Sequence, residues 1–333
     1  MSGPIAITGV TGFIGRRVAA LLAETGVPVR ALVRRPAKLD EASSGSLDVI
    51  VGDMLDPAAV ERLSAGAAAV IHCAGALSSS GEILFAVNVE GTRRLAEASR
   101  NAGVPRFVHV SSVAAREPGL SDYANSKRQG EKALTATLDP ARWVILRPPA
   151  VYGPGDKSTL PLMSQLTRST AWLPGTRSQR LSVIYVDDLA RALIGLARAH
   201  EPAGTIHELH DGRPGGYGWA DFAEAAATVQ GRQVAVRHLP QFALAGLARV
   251  APLWPYLTGG PLKPKLNPGK VRELYHADWV CRNDLLDQVF EWRPEVGFAQ
   301  GLARTVEWYR HKGWLPPEPP MAMRRAGAAR ENS

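Results

Sequence analysis

The chain has 333 residues, 45% of them hydrophobic, and a formal net charge of +8 from 39 Lys and Arg against 31 Asp and Glu. That length buries one large α/β core and a smaller lobe, and the two cysteines, Cys73 and Cys281, make neither a disulfide framework nor a metal site. Nothing ahead of Ile5 is long enough for a signal peptide, no apolar run approaches a bilayer span, and no basic stripe with interleaved aromatics suggests nucleic acid, so a cytoplasmic protein is expected.

Ile5 to Thr8 is a short apolar run followed at once by Gly9, Gly12 and Gly15 in the spacing T-G-x-x-G-x-x-G. Arg17 to Leu22 then carries apolar residues at helical intervals, which gives strand, glycine turn, helix. In that arrangement Gly9 allows the tight turn, Gly12 lets the backbone approach a pyrophosphate, and Gly15 lets the helix pack closely on the strand. The first helical N–H groups then face the anion. Thr11, Phe13, Ile14 and Arg16 share the turn and are cofactor-binding candidates. A glycine-rich turn also occurs as a plain connection; the alternation of apolar strands and helical patterns after it points to a dinucleotide.

Val27 to Val33 reads as the second strand and ends in Arg34 and Arg35. An acidic residue there holds the adenosine ribose of NAD, whereas an arginine pairs with the extra phosphate of NADP. Arg34, with Arg16 as a second phosphate candidate, therefore makes NADPH the preferred cofactor and NAD the alternative; two solvated arginines in a turn is the plainer reading. Leu47 to Val51 is the third strand, closed by Asp53 and Met54, where Asp53 accepts from an adenine amino group or simply caps, and Asp56 caps the next helix. Ala68 to His72 is a fourth strand running into the small residues Ala74 and Gly75, which let a cofactor lie against the backbone. His72 reads as a satisfied strand histidine.

Glu82 to Gly103 forms a long helix containing Asn88, with Gly103 as its stop. Arg106 to Ser112 is the fifth strand, ending in two serines at the edge where such sheets bind ligands. Tyr123 and Lys127 follow, one turn apart on one helix face. A phenol has a pKa of about 10, and a neighbouring ammonium is expected to move it toward the working range. Tyr123 then exchanges a proton with a substrate oxygen, Ser112 hydrogen-bonds the same oxygen, and Lys127 also holds a ribose. Tyr and Lys at this spacing are common on helix surfaces; their place after Ser111 and Ser112, downstream of the glycine turn, makes the pair specific.

Trp143 to Arg147 is a sixth strand, followed by a loop stiffened by Pro148 and Pro149. Leu181 to Leu189 leads into a helix capped by an aspartate, and Thr205 to Leu209 returns to the sheet. The expected fold is α/β, a Rossmann-type doubly wound parallel sheet with a smaller C-terminal substrate lobe. Residues 1–155 form the dinucleotide-binding domain, to which 181–210 return; 156–180 and 211–315 form the lobe, and 316–333 a flexible tail.

At this point the chain resembles the extended short-chain dehydrogenase/reductase superfamily, the branch of nucleotide-sugar epimerases, steroid dehydrogenases and dihydroflavonol reductases. The marks are Thr8 to Gly15, Asp53, Asn88, Ser112, Tyr123 with Lys127, Arg147 with Pro148, and Val186-Asp187-Asp188. The resemblance implies that Ser112, Tyr123 and Lys127 carry catalysis. It also implies a nicotinamide dinucleotide cofactor, lined further by Met54, Ala74, Gly75, Asn88 and Pro148 and by Tyr123 and Lys127 themselves. No metal is implied.

Two features depart from the sugar-modifying members. The segment between Ser112 and Tyr123 is short, which leaves a more open site, and the common Val-Tyr-Gly after the serine is replaced by Val113-Ala114-Ala115-Arg116. Leu239 to Leu257 is apolar nearly all round if helical, so half of it is expected in the lobe core and the rest in a greasy channel or at a bilayer interface. With Lys263, Lys265 and Lys270 beyond it, the reading is an oxidoreductase interconverting a ketone and a secondary alcohol on a bulky hydrophobic molecule. A steroid or a long-chain lipid of the 3-keto sphingoid or ceramide type is favoured, with peripheral membrane contact allowed and a monomer or homodimer expected. A nucleotide-sugar epimerase, dehydratase or reductase is the enzymatic alternative, and a redox sensor or assembly factor that merely holds the nucleotide is the alternative of another class.

Overall fold

The computed structural model describes residues 3–39, 47–77, 80–250, 266–283 and 290–317. Seven parallel strands form the central sheet: β1 (Ile5–Thr8), β2 (Val29–Val33), β3 (Leu47–Val51), β4 (Ala69–His72), β5 (Phe107–Val110), β6 (Trp143–Arg147) and, after four further strands and two helices, Thr205–Glu208. Thr205–Glu208 pairs with β6, and the order across the sheet is Thr205–Glu208, β6, β5, β4, β1, β2, β3. All-parallel sheets are covered on both faces, which is why these strands read as short, almost unbroken apolar runs.

The period of two sorts their side chains. Ile5, Ile7, Ile71, Val108, Val144 and Leu146 pack on one face with α1 (Phe13–Glu24). Ala6, Val70, Phe107, Trp143 and Ile145 pack on the other with α2 (Pro57–Ser64), α4 (Gly91–Asn101) and α5 (Asp122–Thr137). Asp56 caps α2 by accepting from the Ala58 amide at 3.0 Å, and Gly103, at φ +68°, ends α4. Strand order reverses at β1, whose neighbours are β2 and β4, and ligands bind beyond the carboxyl ends of strands at such a switch point.

The helix expected from Glu82 to Gly103 is not uniform. α3 (Gly81–Phe85) and α4 are joined by a π-helical turn, Ala86–Glu90, and Asn88 lies in that turn. Such turns concentrate at functional sites because one widened turn re-aims a side chain.

The lobe has its own core, built from Tyr152, Met163, Leu166, Tyr185, Tyr217, Phe222, Phe298 and Tyr309, with Phe222 and Phe298 meeting edge to face at 4.6 Å. It comprises β7 (Ala150–Tyr152), α6 (Leu160–Leu166), β8 (Thr170–Pro174), β9 (Arg180–Leu181) and β10 (Val183–Tyr185). After α7 (Val186–Arg198) and β11, the strand Thr205–Glu208, come α8 (Trp219–Gln230), β12 (Ala235–Leu239), α9 (Gln241–Val250), α10 (Pro268–Tyr275), β13 (Asp278–Trp279) and α11 (Phe298–His311).

Two local expectations are corrected. Neither Asp187 nor Asp188 caps α7, whose N-cap is Tyr185 without a side-chain bond. Asp187 instead takes the Arg17 guanidinium at 2.7 and 2.9 Å, tying α7 to α1, and the wholly buried Asp188 accepts from the amides of Glu295 and Val296, anchoring the lobe's return. The described part of the apolar segment, residues 239–250, is also less buried than expected. In α9 only Ala248 is buried, while Phe242 is 80% exposed and Leu247 and Val250 about half exposed. Residues 251–257, Lys263, Lys265 and the tail from 318 lie outside the described residues.

Candidate active site

The glycine turn sits at the switch point. Gly9 has φ +79°, and a Cβ there would lie 2.7 Å from the Ala74 amide nitrogen, so only glycine lets β1 and β4 close up. A Cβ on Gly15 would overlap the Gly9 carbonyl oxygen, so Gly15 lets α1 pack on the turn itself. Gly12 is the N-cap of α1, with no side-chain cap and no acidic residue in the first turn, which leaves the positive end of the helix open to an anion. Thr11 and Gly12 are exposed, Phe13, Ile14 and Arg16 half-buried, and the Arg16 guanidinium lies against Gly155. These residues fit a dinucleotide pyrophosphate by shape and by polarity.

Beyond β2 and β3, Arg34 stands 73% exposed, 3.7 Å from Asp53. Asp53 also accepts from the Leu55 amide at 2.9 Å, which closes the turn ahead of α2 rather than capping a helix, and its second oxygen faces Arg34. Met54 is buried beneath them against Gly91. The pair occupies the place where the adenosine end of a dinucleotide lies in folds of this type.

At the ends of β4 and β5 the structure brings Asn88, Ser112, Tyr123 and Lys127 together. Asn88 Oδ1 accepts from the Ala76 amide at 2.7 Å, and its Nδ2 donates to Ser126 Oγ at 2.9 Å, joining the β4 loop to α5. Gly75 is exposed above them, and a Cβ there would lie 3.4 Å from Asn88 Oδ1 and 3.8 Å from Lys127 Nζ. Pro148 is buried, its carbonyl accepting from the Val113 amide at 3.0 Å, which fixes the loop carrying Ser112.

Ser112 and Tyr123 share a hydrogen bond, and Ser112 Oγ also accepts from the Ala114 amide at 3.2 Å. Lys127 is 5% exposed and donates to the Val110 carbonyl at 2.7 Å. Burial lowers its ammonium to about 8, opposed by Glu131. The expected effect of Lys127 on Tyr123 is not what the structure shows. Burial, assisted by the charge of Glu273, raises the phenol to about 12 against the Ser112 hydrogen bond, and the ammonium is drawn to a carbonyl instead.

His72 is satisfied on both ring nitrogens, at 2.7 Å from Thr8 Oγ1 and 3.0 Å from Thr92 Oγ1. Thr92 spends its proton on the Asn88 carbonyl, so His72 must donate from Nε2 and accept at Nδ1. Burial lowers it to about 3, which keeps it neutral. A chain from the Ala74 amide through Thr8, His72 and Thr92 to Asn88 therefore stiffens the floor of the site.

The sequence reading missed the support beneath Lys127. Glu131, one turn further along α5 and 2% exposed, accepts from Ser111 Oγ at 2.5 Å and from Arg147 at 2.8 and 2.6 Å. The two adjacent serines thus divide their work: Ser112 meets Tyr123, and Ser111 meets Glu131. Arg116, in the loop that departs from the sugar-modifying members, donates to the carbonyls of Asp278 and Val280, strapping that loop to β13. Among the described residues no group of three or more His, Cys, Asp or Glu could hold a metal ion, and no helix is long and apolar enough to cross a membrane.

A parallel sheet with a glycine turn at its switch point, beside strand ends carrying this site, defines an NAD(P)-dependent oxidoreductase of the extended short-chain dehydrogenase/reductase type. The chain belongs to the NAD dependent epimerase/dehydratase family, whose model matches residues 5–207. Ceramide reductase of Caulobacter vibrioides (strain NA1000 / CB15N) is 40% identical over 315 residues, covering 94% of this chain and 96% of the relative. A 3-beta-hydroxysteroid dehydrogenase of Mycolicibacterium neoaurum is 26% identical over 348 residues, covering 92% and 91%. The solved structure of MoeE5 in complex with UDP-glucose and NAD has the same fold, with a TM-score of 0.68 at 22% identity over 93% of this chain and 99% of that one.

Proposed function

We propose that the protein interconverts a ketone and a secondary alcohol on a bulky hydrophobic substrate, a long-chain lipid of the 3-keto sphingoid or ceramide type ahead of a steroid, with NADPH preferred and Tyr123 as the proton donor. The observation that carries the chemistry is the Tyr123 phenol, hydrogen-bonded to Ser112 and raised to about 12 so that it holds its proton at neutral pH. A phenol that keeps its proton can donate it to a ketone oxygen. When bound, the nicotinamide cofactor supplies the hydride.

The chain's own residues do the rest. Ser112 fixes the carbonyl oxygen beside the phenol, Tyr123 protonates that oxygen as charge develops on it, and Lys127, whose ammonium is turned to the Val110 carbonyl, is placed to hold the cofactor ribose. Asn88 holds the turn of α5 on which both side chains ride. Arg34, exposed beside Asp53, supports the preference for a cofactor with an additional phosphate.

The lipid class is supported by the similarity to ceramide reductase over nearly the whole of both chains and by the exposed Phe242, Leu247 and Val250 of α9. A nucleotide sugar gains little from such a surface. The test is to incubate the protein and NADPH with 3-keto sphingoid, ceramide-type and steroidal ketones in detergent, and separately with UDP- and GDP-sugars. NADPH consumption with the long-chain ketones is expected. Cofactor turnover or epimer formation with the sugars alone overturns the substrate class.

A further inference from the structure

The lobe reaches into the catalytic centre at one place. α10 is seated on the N-terminus of α5, where Ser121 is the N-cap and Tyr123 the second helical residue. The approach is close enough that a Cβ on Gly269 would lie 2.8 Å from Ser121 Cβ. Arg272 Nε donates to the Leu120 carbonyl at 2.7 Å, and Ser121 Oγ, while accepting from the Ala124 amide at 3.0 Å, donates to Glu273 Oε1. The second oxygen of Glu273 takes the Lys270 ammonium at 2.9 Å. Glu273 is only 7% exposed, and a carboxylate so buried is costly unless it is held in place.

We propose that Glu273 is a positioning residue through which the substrate lobe fixes the catalytic helix and the proton of Tyr123. The proposal rests on the reading of Tyr123 as proton donor, but its test needs no substrate. Among the described residues, few groups act on the phenol. Ser112 reaches it from the end of β5, and Glu273, partly neutralised by Lys270, from α10. On its own helix Lys127 is turned to the Val110 carbonyl and Asp122 toward Gly81. Arg272 is engaged by the Leu120 carbonyl. The negative charge of Glu273 adds to burial in opposing formation of the phenolate.

The test is the titration of Tyr123 itself, followed by NMR on full-length protein carrying 13Cζ-labelled tyrosine, with the Tyr123 resonance assigned as the one absent in Tyr123→Phe. Glu273→Gln keeps an acceptor for Ser121 but removes the charge, and Tyr123 should move toward its phenolate shift at lower pH than in the wild type. Lys270→Ala, at an exposed position, removes the ammonium that partly cancels Glu273, and the same resonance should move at higher pH. Opposite displacements are not expected of a residue that merely packs. In ketone reduction the alkaline limb of kcat/KM should follow the resonance in each variant. Coincident titrations in the three proteins, or displacements of the same sign, overturn the proposal. A displaced resonance in protein that turns over no ketone supports the role of Glu273 and removes the proposed function instead.

Discussion

Arg147 grips the buried carboxylate of Glu131 with two hydrogen bonds, Nε to Oε1 at 2.8 Å and Nη2 to Oε2 at 2.6 Å, across the sheet-to-helix interface directly behind Lys127. Ser111 adds a third bond to the same carboxylate. Removing one partner of such a pair leaves an uncompensated buried charge, which costs about 3–5 kcal/mol. Glu131→Ala should therefore lose that much stability, measured as a lower urea midpoint with an unchanged slope. It should also weaken dinucleotide binding, because Glu131 opposes the deprotonation of Lys127. A variant with wild-type midpoint would make the cluster incidental.

Arg34 bears on the choice of cofactor. It is exposed, with only a 3.7 Å contact to Asp53, so it can turn to a phosphate without breaking a buried bond. A charge-assisted contact of that kind contributes roughly 1.5–3 kcal/mol, about ten- to a hundredfold in affinity. NADPH should bind tighter than NADH by that factor in a fluorescence titration, and Arg34→Ala should bring the two together. Equal affinities in the wild type would assign Arg34 to solvent.

Much of the cofactor end was legible because its signals are local: the spacing of Gly9, Gly12 and Gly15 dictates a turn by itself, and the apolar strands around it can only be buried on two faces. His72 was likewise readable as a satisfied histidine. What was not legible depends on partners distant in sequence. Part of what raises Tyr123 is the charge of Glu273 on α10, some 150 residues further on, so spacing alone suggested the wrong sign of its shift. The role of Glu131 needs Arg147 from a different element. The exposure of Phe242 was hidden because an all-round apolar helix looks the same in sequence whether it faces a core, a channel or solvent.

His109 is the counterpart of His72 one strand over, with ring centroids 5.0 Å apart. It is buried, and neither of its ring nitrogens has a partner among the described residues. Burial holds His72 at about 3 and His109 well below its ordinary value, so both are neutral in the folded protein. The unfolded chain takes up these protons near pH 6.5, so the stability present above that pH is lost as pH falls toward 3, by about 1.4 kcal/mol per unit for each histidine. His109→Leu should stabilise the protein at pH 7 by about 1–2 kcal/mol, since it removes unsatisfied polar atoms, and should flatten the acid limb by one proton. Urea unfolding at pH 7 and pH 5 checks both. A destabilised His109→Leu protein at pH 7 would show that the imidazole has a partner such as buried water.

Tyr123→Phe separates chemistry from binding. The substitution removes one hydroxyl from a half-buried ring, and Ser112 keeps its bond to the Ala114 amide, so the local structure and the melting temperature should change little. The dinucleotide should still bind, because its phosphates meet the glycine turn and Lys127 remains on the Val110 carbonyl. The proton donor, however, is gone, and a positioned acid of this kind contributes about a hundred- to ten-thousandfold in rate. Turnover of an identified ketone should fall by at least that lower figure while NADPH affinity stays within about twofold of the wild type. Ser112→Ala should lose less, since the phenol keeps its proton. Lys127→Ala should lose both turnover and affinity, because the ammonium proposed to hold the cofactor ribose is gone and the bond that ties α5 to the Val110 carbonyl goes with it. If Tyr123→Phe keeps wild-type turnover, the proton comes from another group, and the hydrogen bond between Ser112 and Tyr123 is a structural contact.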